Sequence, residues 1–266
     1  MLKTRILLII AFLLVVGLLF KLPKAVVEND QALTQSTDPS AMDSHQEVSS
    51  SVQQSINQIR SGLVNKPLNR NSAIFADSLA GLYIAAGRFD SAGMYYEQSA
   101  PFFDTNIQLS KSADAYYKAF TFSMDAAKRT AFSEKARGLY ENLLKSNPAD
   151  SDLKVKLAMT FMGSAAPMQG IALLREVLAD NPKHEQALFN MGMLSVQSGQ
   201  FAKAFDWLTR LAEVNPNNIE GQILLGVALA GNGDKEKARA QYEHVKSLSN
   251  DPAVQQQLDQ YIKDLK

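Results

Sequence analysis

Cysteine and histidine, two residue types that often act as nucleophiles, acid–base catalysts or metal ligands, are scarce in this chain, and its histidines lie far apart. The chain has no cysteine, and its histidines are His45, His184 and His244. Metal binding and nucleophilic catalysis both need such side chains to converge, and no two of these histidines have the spacing of metal ligands. A glycine-rich phosphate loop and a nucleophile elbow are also missing. The sequence therefore predicts no enzyme, no cofactor and no metal site.

The same residues are better interpreted as structural. We expect His45 to lie in a polar segment, His184 to precede a structural boundary and His244 to lie on a helix face, while the lone Trp207 packs between helices. Charges are balanced, with 27 Lys and Arg against 27 Asp and Glu, and the basic residues form no stripe. Binding to nucleic acid needs concentrated positive charge that displaces counterions, so we predict no nucleic-acid partner.

The most informative pattern is a repeat in the second half of the chain. Three Asn-Pro dipeptides begin at Asn147, Asn181 and Asn215, 34 residues apart. A fixed period of this length is typical of helix-turn-helix units that stack into a solenoid. Each proline is placed just beyond the second helix of its unit, where it cannot extend that helix.

Other positions keep the same period when the units are counted as 151–184, 185–218 and 219–252. Positions 8 and 20 hold small residues, which two antiparallel helices need where they cross closely, and position 24 holds a large one. The three positions read, unit by unit, Ala158, Gly192 and Gly226; Gly170, Ala204 and Ala238; Leu174, Leu208 and Tyr242.

This pattern resembles the tetratricopeptide repeat (TPR) family over most of residues 73–252. Earlier copies fit at 73–106 and 117–150, although the second has Met124 where a small residue is expected. Residues 107–116 separate these copies, so the first helix of the second copy is expected to be longer. The resemblance implies an all-α, right-handed superhelical solenoid of about five helix pairs. An all-helical bundle with coincidental spacing is the alternative.

The amino terminus has the composition of a membrane anchor. Residues 6–20 are apolar without interruption and have two basic residues on each side. A helix of that length spans about 22 Å, short of the roughly 30 Å hydrocarbon core, but flanking leucines and snorkelling lysines extend its reach. We predict an uncleaved transmembrane helix within residues 1–24 and repeats on the exported, periplasmic side. A cleaved signal peptide and a cytoplasmic orientation are the alternatives.

The segments around the repeats have their own patterns. Residues 25–47 are too polar to build a core and are predicted to be a flexible linker. Within residues 48–72 an apolar stripe runs from Val48 to Leu63 at helical spacing. This helix either caps the first repeat or drives self-association through residues 48–63. Residues 253–266 are predicted to be the carboxy-terminal capping helix.

The resemblance also implies where a partner would bind. In TPR-like solenoids, positions 2, 5, 6, 9, 12 and 13 of each first helix line the concave groove. The last three repeats give a mostly apolar set: Val155, Met159, Met162, Phe189, Asn190, Met193, Val196, Ile223 and Val227. The copy at 117–150 gives a basic edge of Lys118, Lys128 and Arg129. Only Asn190 matches the carboxylate clamp of chaperone-binding members, so we expect the groove to bind a hydrophobic or amphipathic protein segment.

Two classes of function remain. The first is a membrane-tethered protein interaction module that resembles the anchored TPR proteins of bacterial envelope assembly, such as translocon-associated or cytochrome c maturation subunits. The second is a structural organiser that self-associates through residues 48–63 and serves as a spacer in an envelope complex.

Overall fold

The computed structural model describes residues 49–63, 67 and 69–265, and this part of the chain is all helical. It falls within one compact unit. The described α-helices are α1 (Ser50–Leu63), α2 (Arg70–Ala85), α3 (Phe89–Ser99), α4 (Thr105–Phe122), α5 (Ala126–Ser146), α6 (Ser151–Thr160), α7 (Pro167–Asp180), α8 (Glu185–Gln197), α9 (Phe201–Val214), α10 (Ile219–Gly231), α11 (Lys235–Leu248) and α12 (Pro252–Asp264). A short 3₁₀ turn, Ala100–Phe102, follows α3.

The transmembrane helix predicted within residues 1–24 and the linker predicted at residues 25–47 lie outside the described residues. Among the residues that the structure does describe, no helix combines the length and apolar character needed to cross a membrane.

The helices from α2 to α11 pack as five consecutive pairs, and α1 and α12 flank them. Each helix contacts the next one along the chain, so the core is a series of adjoining clusters and not one central cluster. The all-helical repeat fold predicted from the 34-residue period is confirmed.

The Asn-Pro dipeptides form the turns that join one pair to the next. In each turn the asparagine N–H donates to the carbonyl four residues earlier, and its own carbonyl accepts from the residue that caps the next helix. The side chain of that capping residue then accepts a backbone N–H of the new helix, as is usual for an N-cap. The three caps are Asp150, His184 and Asn218. One local turn therefore ends a repeat and begins the next.

The predicted close crossing within each pair is present. A Cβ atom added to Gly192 would lie 2.6 Å from the Leu208 side chain, so only a glycine fits there without movement. The equivalent atom on Gly226 would collide with the Tyr242 ring, and one on Gly170 with the Ala158 carbonyl. In the last two pairs, position 8 of the first helix therefore packs against position 24 of the second helix, and in the third pair position 20 of the second helix packs against position 8 of the first.

The frame drawn at 117–150 does not match the second helix pair. Its first helix, α4, has 18 residues and ends at Phe122, and Met124 is 82% exposed in the turn before α5. This helix is long, as the extra residues 107–116 predicted. However, it begins at Thr105, soon after α3 ends, and it stops at Phe122, early in the 117–150 frame. The second helix keeps its register, because Ala136 and Tyr140 are fully buried.

The turns inside the pairs differ in a way that the period does not show. Gly87, Gly199 and Gly233 have positive φ angles of 69°, 70° and 89°, a conformation that glycine adopts freely. These glycines make the tight turns of the first, fourth and fifth pairs. The third pair has no such glycine, and six residues separate the end of its first helix at Thr160 from the start of α7.

The apolar stripe of α1 faces the repeats. Ile56 is fully buried in a cluster with Leu79 and Tyr83 of α2, and Val52 and Ile59 pack around it. At the other end Leu258 of α12 is fully buried. Both terminal helices thus cover the apolar faces that the end repeats would otherwise expose, which favours capping over self-association for α1.

The helix crossing makes a first prediction about stability. Ala204 is fully buried on α9, while Ala202 on the same helix is exposed. Ala204→Leu should lower the free energy of unfolding by about 1–3 kcal/mol, because the added atoms overpack the crossing. Ala202→Leu should change it by a few tenths at most, since the two residue types have similar helix propensity. Urea unfolding followed by circular dichroism measures both, and equal effects would contradict this packing.

Candidate functional site

The candidate site is carried by the first helices of the last three pairs, α6, α8 and α10. Their side-chain N-caps fix where each helix begins, and the glycine contacts show that position 8 faces the second helix of its own pair. Successive residues of a helix are rotated by about 100°. Positions 5 and 9 therefore lie about 60° and 100° around the helix from that contact, on one common face. Position 12 lies about 40° from it in α8 and α10, whereas Met162, at position 12 of the third repeat, follows the end of α6 at Thr160.

The structure places the nine predicted groove residues at different depths. Val155 and Asn190 are buried in the free protein, so a ligand cannot cover much more of either. The other seven are half-buried. Most of these also pack against the core clusters: Met159, Met162, Phe189, Val196 and Ile223.

Met193 and Val227 are the exceptions within this set. Both are half-buried, and neither belongs to a core cluster of the described residues. They occupy the same position of α8 and α10, one repeat apart. Of the predicted groove residues, these two are the ones whose remaining surface is least committed to the fold.

A polar group between the second and third pairs was not anticipated from the sequence. Lys156, at position 6 of its repeat, places Nζ 2.8 Å and 2.9 Å from the two carboxylate oxygens of Asp114 on α4. The hydroxyl of Tyr140 donates to the same carboxylate at 2.7 Å. Burial, together with the negative charge of Asp114, raises the pKa of Tyr140 well above its ordinary value. The 34-residue frame could not find this group, because Asp114 precedes the frame of its own repeat.

Two further polar contacts link successive repeats. One carboxylate oxygen of Glu185 accepts from the side-chain amides of Asn215 and Asn218, at 2.7 Å and 2.9 Å. His184 Nε2 lies 3.3 Å from an Asp152 carboxylate oxygen, while Nδ1 accepts the N–H of Ala187. His184 is thus a helix cap that also reaches the preceding repeat.

The predicted basic edge is divided between two helices. Lys118 lies on α4, whereas Lys128 and Arg129 lie in the first turn of α5 and not on a first helix. The 117–150 frame assigned these two residues to the first helix, which is wrong because α4 ends before them. The structure nevertheless brings the edge close to aromatic rings: Lys118 Nζ is 5.7 Å from the centre of the Phe89 ring, and Lys128 lines a shallow depression with Phe89.

A cleft on another side of α8 also escaped the sequence analysis. It lies between α7 and α9, has a volume of about 410 Å³ and is lined in part by Trp207. Trp207 does pack against the core, as expected, but part of the side chain is left to form a wall of this cleft. Within the described part of the chain, no three His, Cys, Asp or Glu side chains are grouped as metal ligands would be.

Family models agree with the geometry of the repeats. Two models, both described as tetratricopeptide repeat, match residues 155–219 and 219–252. Residues 155–252 therefore belong to the tetratricopeptide repeat family. Neither model describes a catalytic family, and repeats of this family are in general protein interaction modules.

Curated relatives resemble part of the chain. BBSome complex member BBS4 of Xenopus tropicalis is 30% identical over 116 residues, which is 43% of this chain and 22% of that protein. The BBS4 homolog of Drosophila melanogaster is 26% identical over 110 residues, which is 41% of this chain and 23% of that protein. The chain thus spans less than a quarter of the length of these relatives.

Solved structures are similar over more of the chain. YrrB, described as a TPR protein with an unusual peptide-binding site, is 15% identical, covers 77% of this chain and 99% of its own, and has a TM-score of 0.46. MamA from Desulfovibrio magneticus RS-1 is 16% identical, covers 66% and 94%, and has a TM-score of 0.49.

The group around Asp114 predicts a loss of stability in alkali. Because the pKa of Tyr140 is raised in the folded chain, the folded state keeps a proton that the unfolded state releases above its ordinary pKa of about 10. Stability is therefore unaffected by this group below pH 10 and falls as the pH rises above it, by about 1.4 kcal/mol per pH unit for each such tyrosine.

Tyr140→Phe removes that ionisable proton. The loss of stability above pH 10 should therefore become shallower by about 1.4 kcal/mol per pH unit. At pH 7 the variant should lose only the hydrogen bond to Asp114, about 1.5–3 kcal/mol because the acceptor is charged. Urea unfolding at pH 7, 10 and 11 measures both quantities. An unchanged pH dependence would show that Tyr140 is not protected in the folded state.

Proposed function

We propose that this protein is a membrane-tethered interaction module that binds a hydrophobic or amphipathic segment of a partner protein on the face formed by α6, α8 and α10. The observation that carries the proposal is the pair Met193 and Val227, half-buried one repeat apart on this face and outside the core clusters of the described residues. Tetratricopeptide repeats supply the interaction scaffold, and this pair supplies an apolar surface for a ligand.

The chemistry of the face indicates the class of ligand. Apolar side chains recur at positions 5, 9 and 12 of the last three repeats, and partly exposed apolar surface gains free energy when a ligand covers it. Methionine adapts to ligands of different shape because it is unbranched and polarizable. An amphipathic segment with its apolar side on this face fits such a surface best.

The proposed membrane tether rests on the sequence of residues 6–20 and their basic flanks. A tethered TPR module on the exported side would serve assembly in the bacterial cell envelope, in the manner of a translocon-associated or maturation-complex subunit. The BBS4 relatives are named as members of a protein complex, which is consistent with a role in assembly but indicates no shared partner.

Self-association through residues 48–63 is the weaker proposal. The stripe that would form the interface includes Ile56, which is fully buried against α2 in the single chain. A dimer using that stripe would first have to remove α1 from the first repeat and expose the same apolar surface there.

The binding face can be tested by separating affinity from stability. Met193→Glu combined with Val227→Glu should reduce partner capture from detergent-solubilised membranes at least tenfold, because an apolar ligand covering this face would have to bury two unpaired carboxylates. The unfolding midpoint should change little, since neither residue belongs to a core cluster. Phe189 is less suitable for this test, because it packs against the core and a charge there would also destabilise the fold.

Met168→Glu is the matched control. Met168 lies on α7, a second helix, and is 63% exposed, so the same change of charge should leave capture intact. Loss of capture with the control, or capture that survives the double substitution, would contradict the assignment of the face.

The tether makes a separate prediction about the mature protein. Intact-mass measurement of the membrane fraction should give the full chain of 29.2 kDa. A mature chain beginning between Lys21 and Asp30 would instead show cleavage of a signal peptide. Protease treatment of spheroplasts then tests orientation, because repeats on the exported side are digested from outside and repeats in the cytoplasm are protected.

A further inference from the structure

The cleft between α7 and α9 has features that the repeat does not explain. Its volume of about 410 Å³ lies within the usual range for ligand sites. The floor is apolar, with Met191 and Leu194 of α8 and Ile171 of α7, and the Trp207 side chain of α9 forms part of the wall. A concave apolar surface of this size can accept one or two large side chains of a ligand.

Positive charge is in excess around this apolar floor. Arg175, Lys203 and Arg210 line the cleft, against the single carboxylate of Asp206. None of the three cations forms an ion pair with any described residue. The cleft therefore has cationic groups free to pair with the carboxylates of a ligand.

Two of the cations are already held by uncharged groups. Arg210 Nη2 donates to the Pro182 carbonyl at 2.9 Å, and its guanidinium lies 4.9 Å from the centre of the Trp207 ring. Lys203 Nζ donates to Gln200 Oε1 at 2.7 Å. These contacts position the charges without neutralising them, and preorganised groups lose less entropy when a ligand binds.

The combination is particular to this pair of repeats. One repeat earlier, the positions of Trp207 and Arg210 hold Leu173 and Glu176, and one repeat later they hold Gln241 and His244. An aromatic ring stacked with a guanidinium is therefore not required for this helix pair to form.

The cleft is also distinct from the face proposed above to bind a partner. Met191 lines the cleft, whereas Met193 belongs to the other face. Two residues of a helix correspond to a rotation of about 200°. The two surfaces thus lie on nearly opposite sides of α8, and a ligand on one does not contact the other.

We propose that this cleft is a second binding site, for an acidic peptide segment that inserts a hydrophobic side chain beside Trp207. The ligand's carboxylates pair with Arg175 and Lys203 at the rim, and Arg210 stays stacked on the indole. The partner is a protein whose exposed segment alternates acidic residues with a large apolar one. Such a segment could be bound at the same time as an apolar segment on the opposite face.

The lone tryptophan of the chain makes the site directly observable. Full-length protein in detergent is screened against a positional-scanning library of N-acetylated hexapeptide amides. Enrichment of Asp and Glu around one Leu, Phe or Trp position is expected. The best Trp-free hexapeptide is then titrated while Trp207 emission is recorded, and saturable quenching or a wavelength shift is expected.

Arg175→Glu combined with Lys203→Glu should weaken this titration about tenfold or more, because two charge-assisted contacts become repulsive. Both residues are exposed, so the unfolding midpoint should be unchanged. Met193→Glu with Val227→Glu should leave the titration unaffected, which separates this site from the proposed partner-binding face. No enrichment of acidic residues, binding insensitive to the two charge reversals, or loss of binding with the Met193 and Val227 substitutions would each overturn the proposal.

Discussion

The close approach of the two helices in each pair is the constraint on which the functional surfaces depend. At Gly192 and Gly226 no side chain fits between the first helix and Leu208 or Tyr242 of the second. This contact fixes the rotation of the first helix about its own axis. Once that rotation is fixed, positions 5 and 9 are directed to one face. Positions 7 and 10, which hold Met191 and Leu194 in α8, are directed to the other face. A single steric requirement thus determines both where Met193 lies and where Met191 lies.

Stacking of the pairs depends on a different set of contacts, each of which joins one helix pair to the next. The Asn-Pro turns set the step from one repeat to the next, and side chains such as Glu185 hold the new repeat to the preceding one through Asn215 and Asn218. Each contact concerns adjacent repeats only, as expected for a solenoid. Asp114 serves the same purpose where the second and third pairs meet, with Tyr140 and Lys156 as its partners. The two surfaces are therefore built from local contacts.

The sequence predicts what is local and repeated. The turn chemistry at Asn181 and the small residues at the helix crossing each fall within one 34-residue unit, so their spacing alone predicts the helix pairs. The 34-residue frame does not describe α4, because that helix is longer than the first helix of a repeat. The register of the repeat is recovered only in α5. The cleft beside Trp207 was missed for another reason. Its walls come from three helices of two repeats, and a pattern within one repeat cannot show which unpaired charges meet across the boundary.

Burial adds a distinction that residue type cannot make. Val155, Phe189 and Met193 are all apolar residues at predicted groove positions, yet Val155 is buried, Phe189 is shared between surface and core, and Met193 lies outside the core clusters. A groove residue must leave surface for a ligand, whereas a core residue must not. In a solenoid with one layer of helix pairs, the same first helix has to satisfy both demands. Only residues that contribute little to the core can be substituted to suit a ligand without loss of stability. Selection for binding should therefore act mainly on positions such as that of Met193.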